Sequence, residues 1–201
     1  MKRQIDGRFE ESLATLRATQ GRLAGRIAEA VRLIVDSYKA GGGVFAFGNG
    51  GSAADAQHLV GELVGRFLKE RRPLRAEALP ANVSALTALA NDYGVEAMFA
   101  RPLEANARPG DVAIGLSTSG HSPNVVAALA KARTLGLRTI ALTGAGGGRC
   151  AAFADVLLDV PSKATPRIQE AHVVIYHIIC EGVERALGAR AEAARPRKRP
   201  R

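Results

Sequence analysis

The stretch from Val44 to Glu62 constrains the fold of this chain more than any other. It begins with the apolar run Val44-Phe-Ala-Phe47, passes through Gly48-Asn-Gly-Gly-Ser52 and ends in a segment of helical composition. A short apolar run flanked by glycines is typical of a strand that is covered on both faces in a parallel sheet. The glycines let an anion approach main-chain N–H groups at the start of the next helix. The stretch therefore predicts a strand, a phosphate-binding loop and a helix.

The predicted helix carries His58 and Glu62 four residues apart, so both side chains leave the same face about one turn beyond the loop. An isolated pair at this spacing is commonly a solvated helix face. Here the neighbouring residues are apolar, and a charged Glu62 among them needs a buried partner. Those neighbours are Leu59, Val60, Leu63 and Val64. An anion cradle and a His/Glu pair thus share one end of one element.

A dinucleotide site is the alternative interpretation of the glycine loop. The loop fits the pattern G-x-G-x-x-A, which also requires an acidic residue near the end of the next strand to hold a ribose. Glu77 is the nearby candidate, and it is predicted to lie inside its strand. The sequence therefore favours a phosphate over a dinucleotide.

A second polar loop, Ser117-Thr-Ser-Gly-His-Ser-Pro-Asn124, follows a predicted strand at Val112–Leu116. Its hydroxyls can donate to an anion, Gly120 permits close backbone approach, and Pro123 suits a first helical turn. Such a loop is also common as helix capping. If the first and third strands are neighbours in a parallel sheet, both loops flank the point where strand order reverses. Two such loops favour one phosphorylated ligand between them.

The rest of the chain alternates between strand and helix patterns. Residues 8–40 have helical periodicity, as either one helix or two divided at Gly21, and Asn91–Gly94 has turn composition. The other predicted strands are Ala76–Leu79, Leu137–Thr143 and Asp155–Val160, and the other predicted helices are Ser84–Ala90, Val95–Ala107 and Pro166–Leu187. We therefore expect an α/β fold: a doubly wound, five-stranded parallel sheet in flavodoxin-like order, helices on both faces and an N-terminal helical extension.

The net charge of +9 raises the question of a nucleic-acid partner. Five of the 28 basic side chains lie in Arg195–Arg201, and without them 23 basic side chains face 19 acidic ones, a net charge of +4. We predict that residues 189–201 form a disordered basic tail. Three Tyr, six Phe and no Trp offer little for base stacking, so nucleic-acid binding is not the expected function.

Cysteine content and hydropathy indicate the compartment. Cys150 and Cys180 are too few for a disulfide framework and too far apart for a metal knuckle, so we expect both to be reduced. No apolar run has the length of a membrane span, and the first residues precede a charged helix rather than a signal-peptide core. We expect a cytoplasmic protein without a membrane partner.

Four motifs together resemble the sugar-isomerase (SIS) domain family, although none would suffice alone. They are Gly48-Asn-Gly-Gly-Ser-Ala-Ala-Asp-Ala-Gln-His58 with Glu62, Asn91-Asp-Tyr-Gly94, Ser117-Thr-Ser-Gly120 with Ser122, and Arg167-Ile-Gln-Glu170 with His177. The resemblance runs from about residue 10 to residue 188. It implies an N-terminal helical segment at 1–40 and an SIS domain at 41–188. Within the family the chain is most similar to isomerases of sedoheptulose 7-phosphate.

The resemblance implies roles for individual residues. Glu62 and His177 would be the catalytic acid/base pair. One zinc ion per subunit would be bound by His58, Glu62, Gln169 and His177. The substrate would contact Asn49, Gly50, Gly51, Ser52, Glu62, Asn91, Asp92, Ser117, Thr118, Ser119, Ser122 and Gln169. Without the resemblance, histidines in an apolar helix are more often satisfied core residues than ligands.

The implied reaction converts sedoheptulose 7-phosphate to D-glycero-D-manno-heptose 7-phosphate through an enediol, for ADP-heptose and heptose-containing polysaccharides. Moving a proton between adjacent carbons needs a carboxylate or imidazole base and an electrophile at the carbonyl oxygen, which zinc can supply. The rival interpretation is a non-catalytic SIS module that binds a protein or senses a sugar phosphate, as in replication-initiator-associating proteins. Gly51, Ser119, Glu62 and His177 together favour the enzyme.

Helix geometry raises the question of a site shared between subunits. Gln169 and His177 are eight residues apart, about 12 Å along a continuous helix. Either Gln169 lies in a distorted first turn, or the two residues serve different copies of the site. The long apolar helix before the first strand also lacks a partner inside a simple sheet domain. We therefore expect a homo-oligomer, a tetramer as the family implies, with at least two chains at each site.

Overall fold

The computed structural model describes residues 1–193. Six helices and five strands alternate along most of this range, with short 3₁₀ turns at Leu79–Ala81 and Gly148–Phe153. In chain order they are α1 (Lys2–Lys39), β1 (Val44–Gly48), α2 (Gly51–Val64), β2 (Ala76–Ala78), α3 (Val83–Tyr93), α4 (Ala97–Asn106), β3 (Val112–Ser117), α5 (Pro123–Thr134), β4 (Arg138–Thr143), β5 (Val156–Asp159) and α6 (Thr165–Ala193).

The strands form one all-parallel sheet in the order β2-β1-β3-β4-β5. This order is the flavodoxin-like one, so the predicted fold class is confirmed. Strand order reverses between β1 and β3, which pair from Val44 opposite Val112 to Gly48 opposite Leu116. The loops that leave these two strands therefore start side by side at the same edge of the sheet.

Helices cover both faces of the sheet. Successive strand residues point to opposite faces, so each strand contributes to two cores. Val44, Ala46 and Ile114 belong to a core that α1, α2 and α6 cover. Phe45, Phe47 and Ala113 belong to a second core, which α4 and α5 cover. The continuous apolar run at Val44–Phe47 is thus explained by burial on both sides.

Helix α1 is a single helix, so the possible division at Gly21 does not occur. Glycine in a helix interior costs roughly 1 kcal/mol relative to alanine. The buried residues Leu23, Ile27 and Ile34 lie on the face of α1 that packs within the same core as α6, and this burial outweighs that cost. The N-terminal segment therefore packs on its own domain as well as presenting apolar residues outward.

The segment after α2 is held by a buried ion pair. The Glu184 carboxylate on α6 lies 3.4 Å from the Arg71 guanidinium, and both side chains are almost fully buried. Arg71 also donates to the backbone carbonyl of Glu62 at 2.6 Å. The same carboxylate accepts hydrogen bonds from the backbone N–H groups of Phe67, Leu68 and Lys69. These contacts fix the exit from α2, where the Phe67 ring lies 5.4 Å from the His177 ring.

Two element boundaries differ from the sequence prediction. Residues 91–93 form the last turn of α3 rather than a turn, and the chain leaves the helix at Gly94, whose φ of 86° favours glycine. Helix α6 continues to Ala193, so the first five residues of the predicted tail are helical. The remaining tail, residues 194–201, lies outside the described residues. Among the described helices, none combines the length and apolarity required to cross a membrane.

Candidate active site

The glycine loop after β1 and the serine loop after β3 are joined directly. Asn49 donates a side-chain hydrogen bond to Asn124 Oδ1 at 2.9 Å, and Asn124 donates back to Asn49 Oδ1 at 2.8 Å. Asn124 is buried in the first turn of α5. Because the two amides hydrogen-bond to each other, the Asn49 and Asn124 side chains are fixed. The two loops therefore form one rim. That both loops bind one ligand stays a prediction.

The glycine loop has the backbone geometry of an anion cradle. Gly50 precedes α2 with a φ of 55°, a conformation that side-chain-bearing residues seldom adopt. A Cβ on Gly48 would come within 2.8 Å of the Leu116 carbonyl oxygen and of Ser52. Ser52 is buried in the first turn of α2. The backbone at the start of α2 therefore approaches the rim closely, which is a geometry that suits anion binding at a helix N-terminus.

The serine loop gathers three hydroxyl groups. Ser117 Oγ lies 2.9 Å from Ser122 Oγ and 3.4 Å from Ser119 Oγ. Ser119 Oγ also accepts a hydrogen bond from the backbone N–H of His121 at 3.1 Å. Thr118 contributes to the turn itself, because its carbonyl oxygen accepts the Gly144 N–H at 3.0 Å. Three convergent hydroxyls beside a helix start can donate to phosphate oxygens.

A second group of polar side chains lies farther along α2, where it meets α6. His58 Nε2 is 3.2 Å from Glu62 Oε1 and 3.4 Å from His177 Nε2. One ligand atom from each of these residues lies within 4.8 Å of the others. Two imidazole nitrogens and one carboxylate oxygen are a donor set that suits zinc with an open position. The residues of this His–Glu–His cluster can therefore hold a metal ion, and all three come from one chain.

Gln169 lies at the other end of the same helix pair. Its amide nitrogen is 2.6 Å from the position that a Cβ on Gly51 would occupy, so the missing side chain makes room for it. Gln169 belongs to the second turn of an uninterrupted α6, about 12 Å along the axis from His177. The structure thus places Gln169 at the glycine loop, and its membership of a metal site stays a prediction.

Tyr176 contacts the cluster and Asp55 contacts Tyr176, and no sequence motif indicated a role for either residue. The Tyr176 hydroxyl is 3.0 Å from His58 Nδ1 and 3.5 Å from Asp55 Oδ1. Asp55 precedes His58 by three residues and shares its helix face. The sequence feature that could have indicated them is a tyrosine and an aspartate inside otherwise apolar helices, because buried polar groups need hydrogen-bond partners.

Asn91 and Asp92 lie apart from these groups, on α3. Both are exposed, and the Asn91 amide donates to Asp92 Oδ1 at 2.8 Å. Helix α3 has no buried residue, although it includes Val83, Leu86 and Leu89. The apolar surface of α3 is thus a candidate interface.

His172 is a buried histidine on α6, between Gln169 and His177 in the sequence. Its Nε2 lies 3.2 Å from the Thr143 carbonyl oxygen, and its Nδ1 is buried with no hydrogen-bond partner among the described residues. Burial lowers the pKa of His172 to about 4, against the opposing effect of the bond to Thr143. His172 is therefore a neutral core residue that donates to Thr143 at the end of β4.

The low pKa of His172 predicts a pH-dependent stability. A depressed pKa in the folded state contributes stability above the unfolded pKa, near 6.5, and this stability is lost as the pH falls toward 4. His172→Gln cannot titrate, yet its amide can donate to Thr143. Between about pH 7.5 and pH 5, wild-type protein should lose on the order of 2 kcal/mol more unfolding free energy than the variant. Urea unfolding at both pH values measures this difference, and equal losses in both proteins would contradict it.

Comparison with known proteins identifies the family. The SIS domain model matches residues 9–144. A phosphoheptose isomerase from Citrifermentans bemidjiense is 53% identical over 184 residues, covering 92% of this chain and 96% of the relative. The structure of a phosphoheptose isomerase from Neisseria gonorrhoeae superimposes with a TM-score of 0.87 at 39% identity, covering 92% of this chain and 98% of the other. One from Francisella tularensis gives 0.88 at 36% identity, covering 90% and 97%. This chain therefore belongs to the phosphoheptose isomerase family of SIS domain proteins.

Proposed function

We propose that the protein interconverts sedoheptulose 7-phosphate and D-glycero-D-manno-heptose 7-phosphate through an enediol, in the cytoplasm, for the synthesis of ADP-heptose. The observation that carries this proposal is the placement of the His–Glu–His cluster and the two-loop rim on one pair of helices. His58 is seven residues beyond Gly51, about 10 Å along α2. A sugar phosphate can therefore bind its phosphate at the rim while its reacting carbons reach toward the cluster. The family membership supports the same reaction.

The phosphate would be held at the rim by hydroxyls and main-chain N–H groups. In the serine loop, the hydroxyls would come from Thr118, Ser119 and Ser122. Ser117 would orient those of Ser119 and Ser122, which lie within hydrogen-bond distance of its own hydroxyl. Asn49, Gly50, Gly51 and Ser52 supply the start of α2. Gln169, whose amide lies at Gly51, is positioned to contact the substrate near its phosphate. Hydrogen bonds to a charged group contribute about 1.5 to 3 kcal/mol each, so this rim selects phosphorylated sugars.

Glu62 and His177 would move the proton between the two carbons. The isomerisation removes a proton from the carbon beside the ketone and delivers one to the former carbonyl carbon, while the two oxygens exchange roles. Glu62 is the candidate base, because its carboxylate is partly exposed at the cluster. His177 would hold or donate a proton at the sugar oxygens. Phe67 and Tyr176 pack against the His177 ring, which fixes the direction of its Nε2.

Zinc is the metal that this donor set fits best. His58, Glu62 and His177 would bind one ion per subunit, with Gln169 as a fourth ligand if its amide turns from the loop toward the cluster. A bound zinc ion polarises a carbonyl oxygen and so makes the adjacent carbon more acidic. A carboxylate that binds zinc is a weaker base, so metal content and turnover must be measured together for Glu62.

Apolar surfaces on three helices support a homo-oligomer, a tetramer in our proposal. Ile5, Phe9 and Leu13 on α1 are exposed, as are Val174 and Ile178 on α6. Between α1 and α6 lies a largely apolar groove of about 450 Å³. Exposed apolar patches of this kind mark interfaces. Because Asn91 and Asp92 stand on the uncovered α3, we propose that they contact substrate in the site of a neighbouring subunit.

The first prediction concerns Glu62. Glu62→Gln preserves shape and removes the base, so turnover of sedoheptulose 7-phosphate should fall at least about 100-fold with the fold intact. Glu70→Gln is the matched control, since Glu70 is exposed and makes only a 3.9 Å contact with Arg66. Initial rates and zinc content of both variants give the answer. Near-normal turnover by folded, zinc-loaded Glu62→Gln protein would refute the assignment.

The second prediction concerns the shared site. Glu62→Gln and Asp92→Ala should each be inactive, but mixing them under conditions that exchange subunits should restore activity, because some sites receive both intact residues. Glu62→Gln mixed with His177→Ala is the negative control, since these two residues meet within one chain. No recovery in the first mixture, despite exchange proven by mass spectrometry, would place Asp92 in the site of its own chain.

A further inference from the structure

Tyr176 is a fully buried residue whose hydroxyl has two polar neighbours. Its ring packs edge-on against His58, with centroids 5.3 Å apart, and against His177 at 4.9 Å. The hydroxyl reaches His58 Nδ1 at 3.0 Å, on the side of the imidazole away from Glu62. Beyond it, at 3.5 Å, lies Asp55 Oδ1. Asp55, Tyr176 and His58 thus form a chain that leads into the His–Glu–His cluster.

Donor and acceptor capacities give this chain a direction. An ionised carboxylate only accepts hydrogen bonds, whereas a tyrosine hydroxyl has one proton to donate and lone pairs to accept. With Asp55 ionised, the Tyr176 proton would go to Asp55, and the Tyr176 oxygen would accept a proton from His58 Nδ1. A neutral histidine with its proton on Nδ1 has a free lone pair on Nε2. His58 Nε2 is the atom that faces Glu62 and His177.

We propose that Tyr176, supported by Asp55, is a positioning residue that holds His58 in the tautomer required for metal binding through Nε2. This inference rests on the metal site of the proposed function. Histidines that bind metals commonly donate their other N–H to an acceptor, which fixes both tautomer and ring orientation. Here the acceptor is a tyrosine oxygen, and its own proton is directed away from the imidazole by a carboxylate.

The burial of the Asp55 carboxylate supports this role. Its Oδ2 is buried and has no hydrogen-bond partner among the described residues. An apolar side chain at this position would avoid the cost in free energy of burying that oxygen. The opposite direction, with Tyr176 donating to His58 Nδ1, would put the remaining proton on Nε2 and block the metal. The two directions therefore predict opposite effects of removing the hydroxyl.

Zinc affinity tests the proposal without reference to turnover. Tyr176→Phe keeps the ring that packs against both histidines and removes only the hydroxyl. Its zinc dissociation constant, measured by competition with a chelating indicator, should rise about 10- to 100-fold. Tyr38→Phe is the matched control, because Tyr38 is also buried and its hydroxyl donates to the Arg75 carbonyl oxygen at 3.3 Å, with no contact to the cluster. Tyr38→Phe should bind zinc as tightly as wild-type protein.

A double-variant cycle and a measurement of the His58 tautomer complete the test. Because Asp55 acts through Tyr176, Asp55→Ala should weaken zinc binding alone but add nothing to Tyr176→Phe. In zinc-loaded wild-type protein, ring-nitrogen NMR should show the His58 proton on Nδ1. Unchanged zinc affinity in folded Tyr176→Phe, additive losses in the double variant, or a proton on Nε2 would each overturn the inference. Wild-type protein that binds no zinc would overturn the metal site as well.

Discussion

The parallel packing of α2 against α6 is the contact on which the candidate site depends. Gln169 meets Gly51 at the start of the two helices, and His177 meets His58 about two turns farther along. The contacts are seven residues apart on α2 and eight on α6, so the helices stay nearly in register. Leu59 on α2 and Ile175 on α6 lie in the same buried core, which ties this register to the sheet. A shift of one helix along the other would separate the cluster residues.

This packing places two groups of polar residues at different positions along one pair of helices. At the sheet edge, the glycine loop and the serine loop form one rim, joined by Asn49 and Asn124. Farther from the edge, imidazoles and a carboxylate gather between the helices. The Glu184 and Arg71 pair then anchors the segment that leaves α2. The distance between the rim and the cluster is set by the rise of α2 and α6.

Local patterns predicted the parts of the fold that depend on neighbouring residues in the chain. Apolar strands, both polar loops and the spacing of His58 and Glu62 are of this kind. Contacts between distant helices left no such pattern: Tyr176 and Asp55 are 121 residues apart in the sequence. Packing also overrode two local signals, because Gly21 does not interrupt α1 and Asn91–Gly94 is not a separate turn. Gln169, assigned to the metal by resemblance, lies at the glycine loop.

The most direct measurement follows the carbon atoms of the substrate. Zinc-loaded protein is mixed with sedoheptulose 7-phosphate labelled with ¹³C at the carbonyl carbon, and NMR spectra are recorded over time. We predict that the ketose carbonyl signal is replaced by signals of an aldose 7-phosphate, and that in D₂O the carbon beside the new aldehyde carries solvent deuterium, as a base-catalysed enediol pathway allows. An unchanged ketose spectrum with folded, zinc-loaded protein would contradict the proposed isomerase.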